Sequence, residues 1–193
     1  MSSRYHHGNL RRAVMDAAVA AIEESGPSGW SLRELARRAG VSHAAPAHHF
    51  GDKTGLLTAL AAEGFGLLAD ALTAAGDGLL DLGVAYVRFA VRHRAYFEVM
   101  FRPELYRPDD PELTAARTRA DELLGDAVRP LSPEPEAALA AWSIAHGFAG
   151  LWLSGALPPE VGTDPEAAAR PVLGTLFPYD EDGRPAAEPP RER

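Results

Sequence analysis

Cysteine is absent from all 193 residues. That excludes disulfides and thiolate-bound metals, and it suits a reducing cytoplasm. Lysine is nearly absent as well: Lys53 is the only one, so arginine carries almost all the positive charge. No run of about 18 apolar residues is free of charge, so no membrane span is expected. The stretch from Met1 to Arg12 is polar and basic with no apolar segment behind it, so a signal peptide is not expected either. Alternating apolar–polar runs of the strand type are few. Apolar residues recur instead at spacings of three and four, which predicts an all-α fold.

The net charge is −8, but it is unevenly placed. Residues 1–60 hold seven Lys/Arg and five Asp/Glu, a balance of +2, while residues 61–193 hold twelve and twenty-two, a balance of −10. Five of the seven histidines lie in the first 50 residues. Phosphate binding needs a local basic face rather than a basic protein, and an acidic remainder discourages loose non-specific binding.

The periodicity predicts about nine helices. The first covers Gly8 to Glu24 and is broken by Ser25-Gly26-Pro27-Ser28-Gly29. A second starts at Ser31, where Ser31 and Glu34 fit a capping box, each able to bond the other's backbone N–H. Gly40 ends it at a position that calls for left-handed backbone. Ser42 then caps a short third helix reaching Phe50, and Asp52 caps a fourth running to about Ala75. Further helices are expected over Leu79–Arg94, Tyr96–Phe101, Pro111–Val128 and Glu136–Leu157. A last one starts at Asp164-Pro165 and reaches about Phe177, with Pro171 kinking or shortening it. The tail, 178–193, is rich in Pro, Asp, Glu and Arg and reads as disordered.

Residues Ser31 to Phe50 carry the functional signal. Leu32, Leu35, Ala36 and Ala39 give the second helix an inner face, and Ala36 is small where two helices must cross. Gly40 makes the turn and Val41 plugs the corner. The third helix would then expose His43, Ala44, Ala45, Ala47 and His48. This is the pattern of a helix-turn-helix, whose second helix lies in the DNA major groove. Imidazoles can donate or accept hydrogen bonds there, and alanine methyls can meet a thymine methyl. Lys53, at the start of the next helix, is placed to meet a phosphate. The candidate DNA-binding set is therefore Arg33, Ser42, His43, Ala44, Ala45, Pro46, Ala47, His48, His49 and Lys53, with His49 expected to pack under Phe50. The start Arg4-Tyr5-His6-His7-Gly8 reads equally as an arm reaching the DNA or as a loose terminus.

With Asn9-Leu10-Arg11, Leu32-Arg33-Glu34-Leu35-Ala36, Ala39-Gly40-Val41-Ser42, His49-Phe50, Lys53 and Leu56-Leu57 in this order and spacing, residues 8–68 resemble the TetR family of bacterial transcriptional regulators. The resemblance implies a homodimer whose first three helices bind double-stranded DNA, with a larger C-terminal domain that binds a small molecule and dimerises. Family members mostly repress, and ligand releases them. Two departures stand out. The family usually has a tyrosine at the Ala47 position, where it contacts a phosphate, so His43, His48 or His49 would have to compensate. Pro46 falls near the fourth position of a very short helix, where it removes one hydrogen bond or shifts the helix start.

Trp142-Ser-Ile-Ala-His146-Gly147 resembles the signature of a WHG-type C-terminal domain, with Tyr86 to Ala90 and Met100-Phe101 in keeping. The implied organisation is a DNA-binding domain at 8–68, a ligand-binding and dimerisation domain at 76–177, and the tail. Phe89, Tyr96, Phe97, Trp142 and His146 are the candidate ligand-pocket residues, although core packing explains most aromatics equally well. His146 shares a helix face with Trp142 and is either a satisfied core histidine or a ligand contact. A stripe of small residues, Ala140, Ser143, Gly147, Gly150 and Ser154, either seats a helix of the same chain or forms a subunit contact. In the family the dimer is built from the last two helices, so Ser143, Gly147, Gly150 and Ser154 are the candidate interface.

The histidines do not share ligand spacing, so metal binding is not expected, and no cofactor is implied. No acid–base pair or phosphate-binding glycine loop points to an enzyme. The reading is a cytoplasmic, ligand-responsive repressor that binds a palindromic operator as a homodimer and is released by a small apolar effector. An activator on the same scaffold, or a helical interaction module without DNA binding, are the alternatives.

Overall fold

A computed structural model describes residues 3–175, with side chains from Leu10 onward. The expected tail and the expected end of the last helix at Phe177 lie outside the described residues, as do the side chains of Arg4 to Gly8. Among the described residues there are nine α-helices and no strand. They are α1 (Ser3–Ser25), α2 (Leu32–Arg38), α3 (Ala45–Phe50), α4 (Lys53–Ala75), α5 (Leu79–Arg92), α6 (Arg94–Met100), α7 (Pro111–Val128), α8 (Ala137–Leu153) and α9 (Pro165–Gly174). The all-α class is borne out.

The chain forms two compact units that interleave along the sequence. The first holds residues 1–67 and 93–119, so α6 and the start of α7 pack in the same unit as the helix-turn-helix. Its core is Val14, Met15, Ile22, Leu35, Leu56, Leu60, Val99, Met100 and Leu113, each at most 2% exposed. Each such side chain contributes roughly 1.5–3 kcal/mol by leaving water. Tyr106 is buried here and its hydroxyl donates to the Met100 carbonyl at 2.9 Å, which ties down the loop after α6. Within the second unit, which among the described residues holds 68–92 and 120–175, α5 packs on both α8 and α9. Leu82, Val87, Phe89, Phe148, Ala149, Ala169 and Leu173 fill that core.

Local chemistry explains most helix ends. Asp52 Oδ1 accepts from Gly55 N–H at 2.7 Å at the start of α4, as expected. Asp110 accepts from Glu112 and Leu113, and Asp164 from Glu166 and Ala167, so the two Asp-Pro starts hold. Gly40 has φ +66°, and Gly40 and Val41 N–H bond back to Arg37 and Ala36. This paired closure satisfies two carbonyls at the end of α2.

Four expectations need correction. The capping box is half made: Glu34 N–H reaches Ser31 Oγ at 3.3 Å, but the Glu34 carboxylate turns to Arg38 instead. The third helix starts at Ala45, not at Ser42, and has no side-chain cap. The fifth helix stops at Arg92, because His93 leaves helical backbone at φ −120°, ψ 45° before α6 begins. The long apolar helix ends at Leu153 rather than Leu157, closed by Gly155 N–H to Trp152 and Ala156 N–H to Leu151. Pro171 does not end α9, which runs on to Gly174.

By length and composition alone α4 is apolar enough to cross a membrane. In the fold 56% of its most apolar stretch is buried, so core packing accounts for the character.

Candidate nucleic-acid interface

The turn between α2 and α3 places two short helices at the surface of the first unit. Leu35 and Ala36 of α2 and Ala45, Pro46 and Phe50 of α3 are buried. Pro46 stands in the first turn of α3, where a missing N–H costs nothing, and it is almost wholly buried. So the proline shifts the helix start, the second of the two outcomes that the sequence allowed. Ala45 is a correction: it faces the core, not solvent.

What remains outside is Ser42, His43, Ala44, Ala47 and His48, all exposed. His49 is half-buried, with its ring edge-on between His48 at 5.4 Å and Phe50 at 6.4 Å between centroids. The exposed side chains are thus His43 and Ala44 in the turn just before α3 and Ala47 and His48 on the helix itself. On α2, Arg33 and Arg37 are exposed and make no described ion pair. Arg38 differs: it bonds Glu24 at 2.7 Å and Glu34 at 2.6 Å. Arg11 lies 5.5 Å above the Phe50 ring, a cation–π contact at the end of α3. Sequence reasoning passed over Arg37, which its helical spacing from Arg33 would have found.

Lys53 stands at the start of α4, as expected, with its ammonium turned to the segment before α2. Its Nζ donates to Trp30 O at 2.9 Å and to Ser28 O at 3.2 Å, and it sits 4.0 Å from the centroid of the Trp30 ring. Desolvation lowers its pKa. Two of its three donors are therefore spent on the turn before α2.

Of the pocket candidates, Tyr96 and Phe97 belong to the first unit, and Phe89, Trp142 and His146 to the second. The Tyr96 hydroxyl donates to Glu63 at 2.7 Å, and burial foremost pushes its pKa up to about 12. Glu63 also takes Arg12 Nη1 at 2.6 Å, and this cluster borders a shallow cleft of about 450 Å³ that His93 and Asp16 help to line. In the second unit Trp142 Nε1–H donates to the Tyr86 hydroxyl at 3.2 Å, and that hydroxyl lies 2.8 Å from His146 Nδ1. Burial raises the Tyr86 pKa and lowers that of His146. Burial thus favours the neutral form of both, and the hydroxyl joins α5 to α8 as a polar hub.

The small-residue stripe of α8 faces outward. Ala140, Ser143, Gly147 and Ser154 are exposed and Gly150 is half-exposed. A Cβ added at Gly147 or Gly150 would meet no described atom within 4 Å, so these glycines do not seat a described helix of their own chain. Beside them Leu139, Trp142, Leu151 and, on α9, Val172 are 37–57% exposed.

Comparison with known proteins matches two consecutive stretches of the chain, the second of which includes residues 93–119 that pack in the first unit. Residues 14–60 match the model of bacterial regulatory proteins of the tetR family, and residues 79–176 match a tetracyclin repressor-like C-terminal domain. The chain is 31% identical over 164 residues to the HTH-type transcriptional regulator BetI of Escherichia coli, covering 76% of this chain and 82% of the relative. It is 30% identical to BetI 1 of Chromohalobacter salexigens, covering 82% and 84%. A solved structure of a Rhodococcus sp. RHA1 protein of unknown function is similar with a TM-score of 0.74 at 33% identity, covering 91% of this chain and 97% of that one.

Proposed function

Because the chain belongs to the tetR family of bacterial regulatory proteins, we propose that it represses transcription by binding a roughly palindromic operator as a homodimer. The observation that carries this is the exposed face of His43, Ala44, Ala47 and His48, flanked by the exposed Arg33 and Arg37. The histidines and alanines read base edges, and the arginines, with the exposed Ser42, hold phosphates. Residues 8–68 form the reading domain and 76–177 the regulatory one. A cytoplasmic location goes with this role.

Dimerisation uses Ser143, Gly147, Gly150 and Ser154 of α8. Leu139, Leu151 and Val172 supply the apolar area, and the contact is isologous across a two-fold axis. The effector is a small, mostly apolar molecule bound in the second unit beside Phe89, Trp142 and His146, where the Tyr86 hub offers a few polar groups in an apolar setting. Its binding favours a state with the wrong spacing of reading helices, a coupling of about 1–3 kcal/mol. The test is a reporter driven by the protein's own promoter, with and without the gene. Expression should rise on deletion; a fall would replace repression with activation.

A further inference from the structure

Asp52 stands two residues beyond the end of α3, so a carboxylate lies beside the segment that reads DNA. Its Oδ1 is committed to Gly55 N–H at 2.7 Å, which fixes the group in place. A bare carboxylate there would repel a duplex that carries about one charge per 1.7 Å of axis. It is not bare. Arg107 Nη2 bonds Asp52 Oδ2 at 2.8 Å, from 55 residues further along the chain and within the same compact unit.

The backbone that carries this side chain is held as well. Arg107 N–H donates to Thr58 Oγ1 at 3.0 Å, and that hydroxyl donates to the Thr54 carbonyl at 2.7 Å. Thr58 is only 4% exposed, so the anchor is buried. The neighbouring Tyr106 is pinned to Met100. Gly55 leaves the path open: a Cβ there would come within 3.0 Å of Arg107 Nη1 and within 2.0 Å of the Phe50 carbonyl. A backbone anchored on α4 thus delivers a cation to the acid that follows α3.

We propose that Arg107 is a positioning residue for operator binding. It cancels the Asp52 charge at the DNA face, although it lies outside the helix-turn-helix. The two side chains are about half exposed, so the pair adds little to stability, and its effect is on the field met by the DNA. This inference rests on the reading of α3 as the DNA-contacting helix.

The test uses the full chain and a labelled fragment of its own promoter, titrated by fluorescence anisotropy at about 50 and about 200 mM salt. Wild type, R107Q, D52N/R107Q and H48A are compared. R107Q should bind about three- to tenfold more weakly at low salt, with most of the difference gone at high salt, because a surface charge is screened over about 8–10 Å. D52N/R107Q should return to within about twofold of wild type, since asparagine still accepts from Gly55 but carries no charge. Thermal unfolding should be nearly the same for all four. If wild type fails to select its promoter, or H48A leaves selection intact, the reading of α3 fails. If those controls hold and R107Q binds like wild type, the role given to Arg107 is overturned. It is also overturned if the double variant stays as weak as R107Q, since the arginine would then act by direct contact or through the fold.

Discussion

Lys53 Nζ lies 4.0 Å from the centroid of the Trp30 ring and donates to the Trp30 carbonyl at 2.9 Å. The chain's single lysine therefore stitches the first turn of α4 to the turn that precedes α2. Its cation is satisfied inside the protein before any phosphate arrives.

Lys53→Ala should accordingly act on stability. Losing a charged hydrogen bond and a cation–π contact at a partly exposed site costs about 1–2 kcal/mol. Denaturant unfolding would detect it. The slope of operator affinity against salt should change by well under one unit; a full unit would restore the phosphate role that the sequence predicted.

The Tyr86–His146 pair gives a pH signature. Burial lowers the His146 pKa in the folded state below its unfolded value of about 6.5. The unfolded chain then binds the proton more readily, so stability is full above about pH 6.5 and falls as pH drops toward the folded pKa. His146→Gln should lose less stability than wild type between about pH 7 and 5. Equal losses would assign the acid sensitivity to other groups.

Tyr86→Phe removes the hydroxyl that meets both Trp142 Nε1 and His146 Nδ1. A cost of about 1 kcal/mol is expected from the two part-buried hydrogen bonds it removes. The double variant with His146→Gln should be less destabilised than the sum of the two single changes, because one interaction is shared. Simple additivity would show that the two residues do not work together.

The outward face of α8 should hold the dimer. Leu151→Asp places a charge on an exposed apolar patch that a partner would bury. Light scattering after size exclusion should show a monomer whose secondary structure is intact. A dimer of unchanged affinity would move the interface elsewhere.

Local signals were legible where one residue decides a local event. Asp52 and Asp164 cap as their positions predict, and Gly40 turns as a left-handed glycine must. The exposed positions around α3 were also readable from their spacing, apart from Ala45. The failures lie where long-range packing decides. Glu34 chose Arg38 over the Ser31 backbone because a salt link was within reach one turn away. Pro46 is inside the core, so burial rather than capping sets where α3 begins. Lys53 turns to Trp30 and Arg107 reaches Asp52 across the fold, and no local pattern marks either pair. Tyr96 and Phe97 share their helix with residues that pack in the unit of the reading helices, which a division of the chain into consecutive blocks cannot express.

The most direct test of a dimer reading DNA through α3 is a nuclease footprint on the protein's own promoter. Two protected half-sites should appear, with centres about one helical turn apart, roughly 34–36 Å. His48→Ala should weaken protection of these half-sites while leaving non-specific binding in place. Uniform binding along every fragment, with no discrete protected site, would contradict the account.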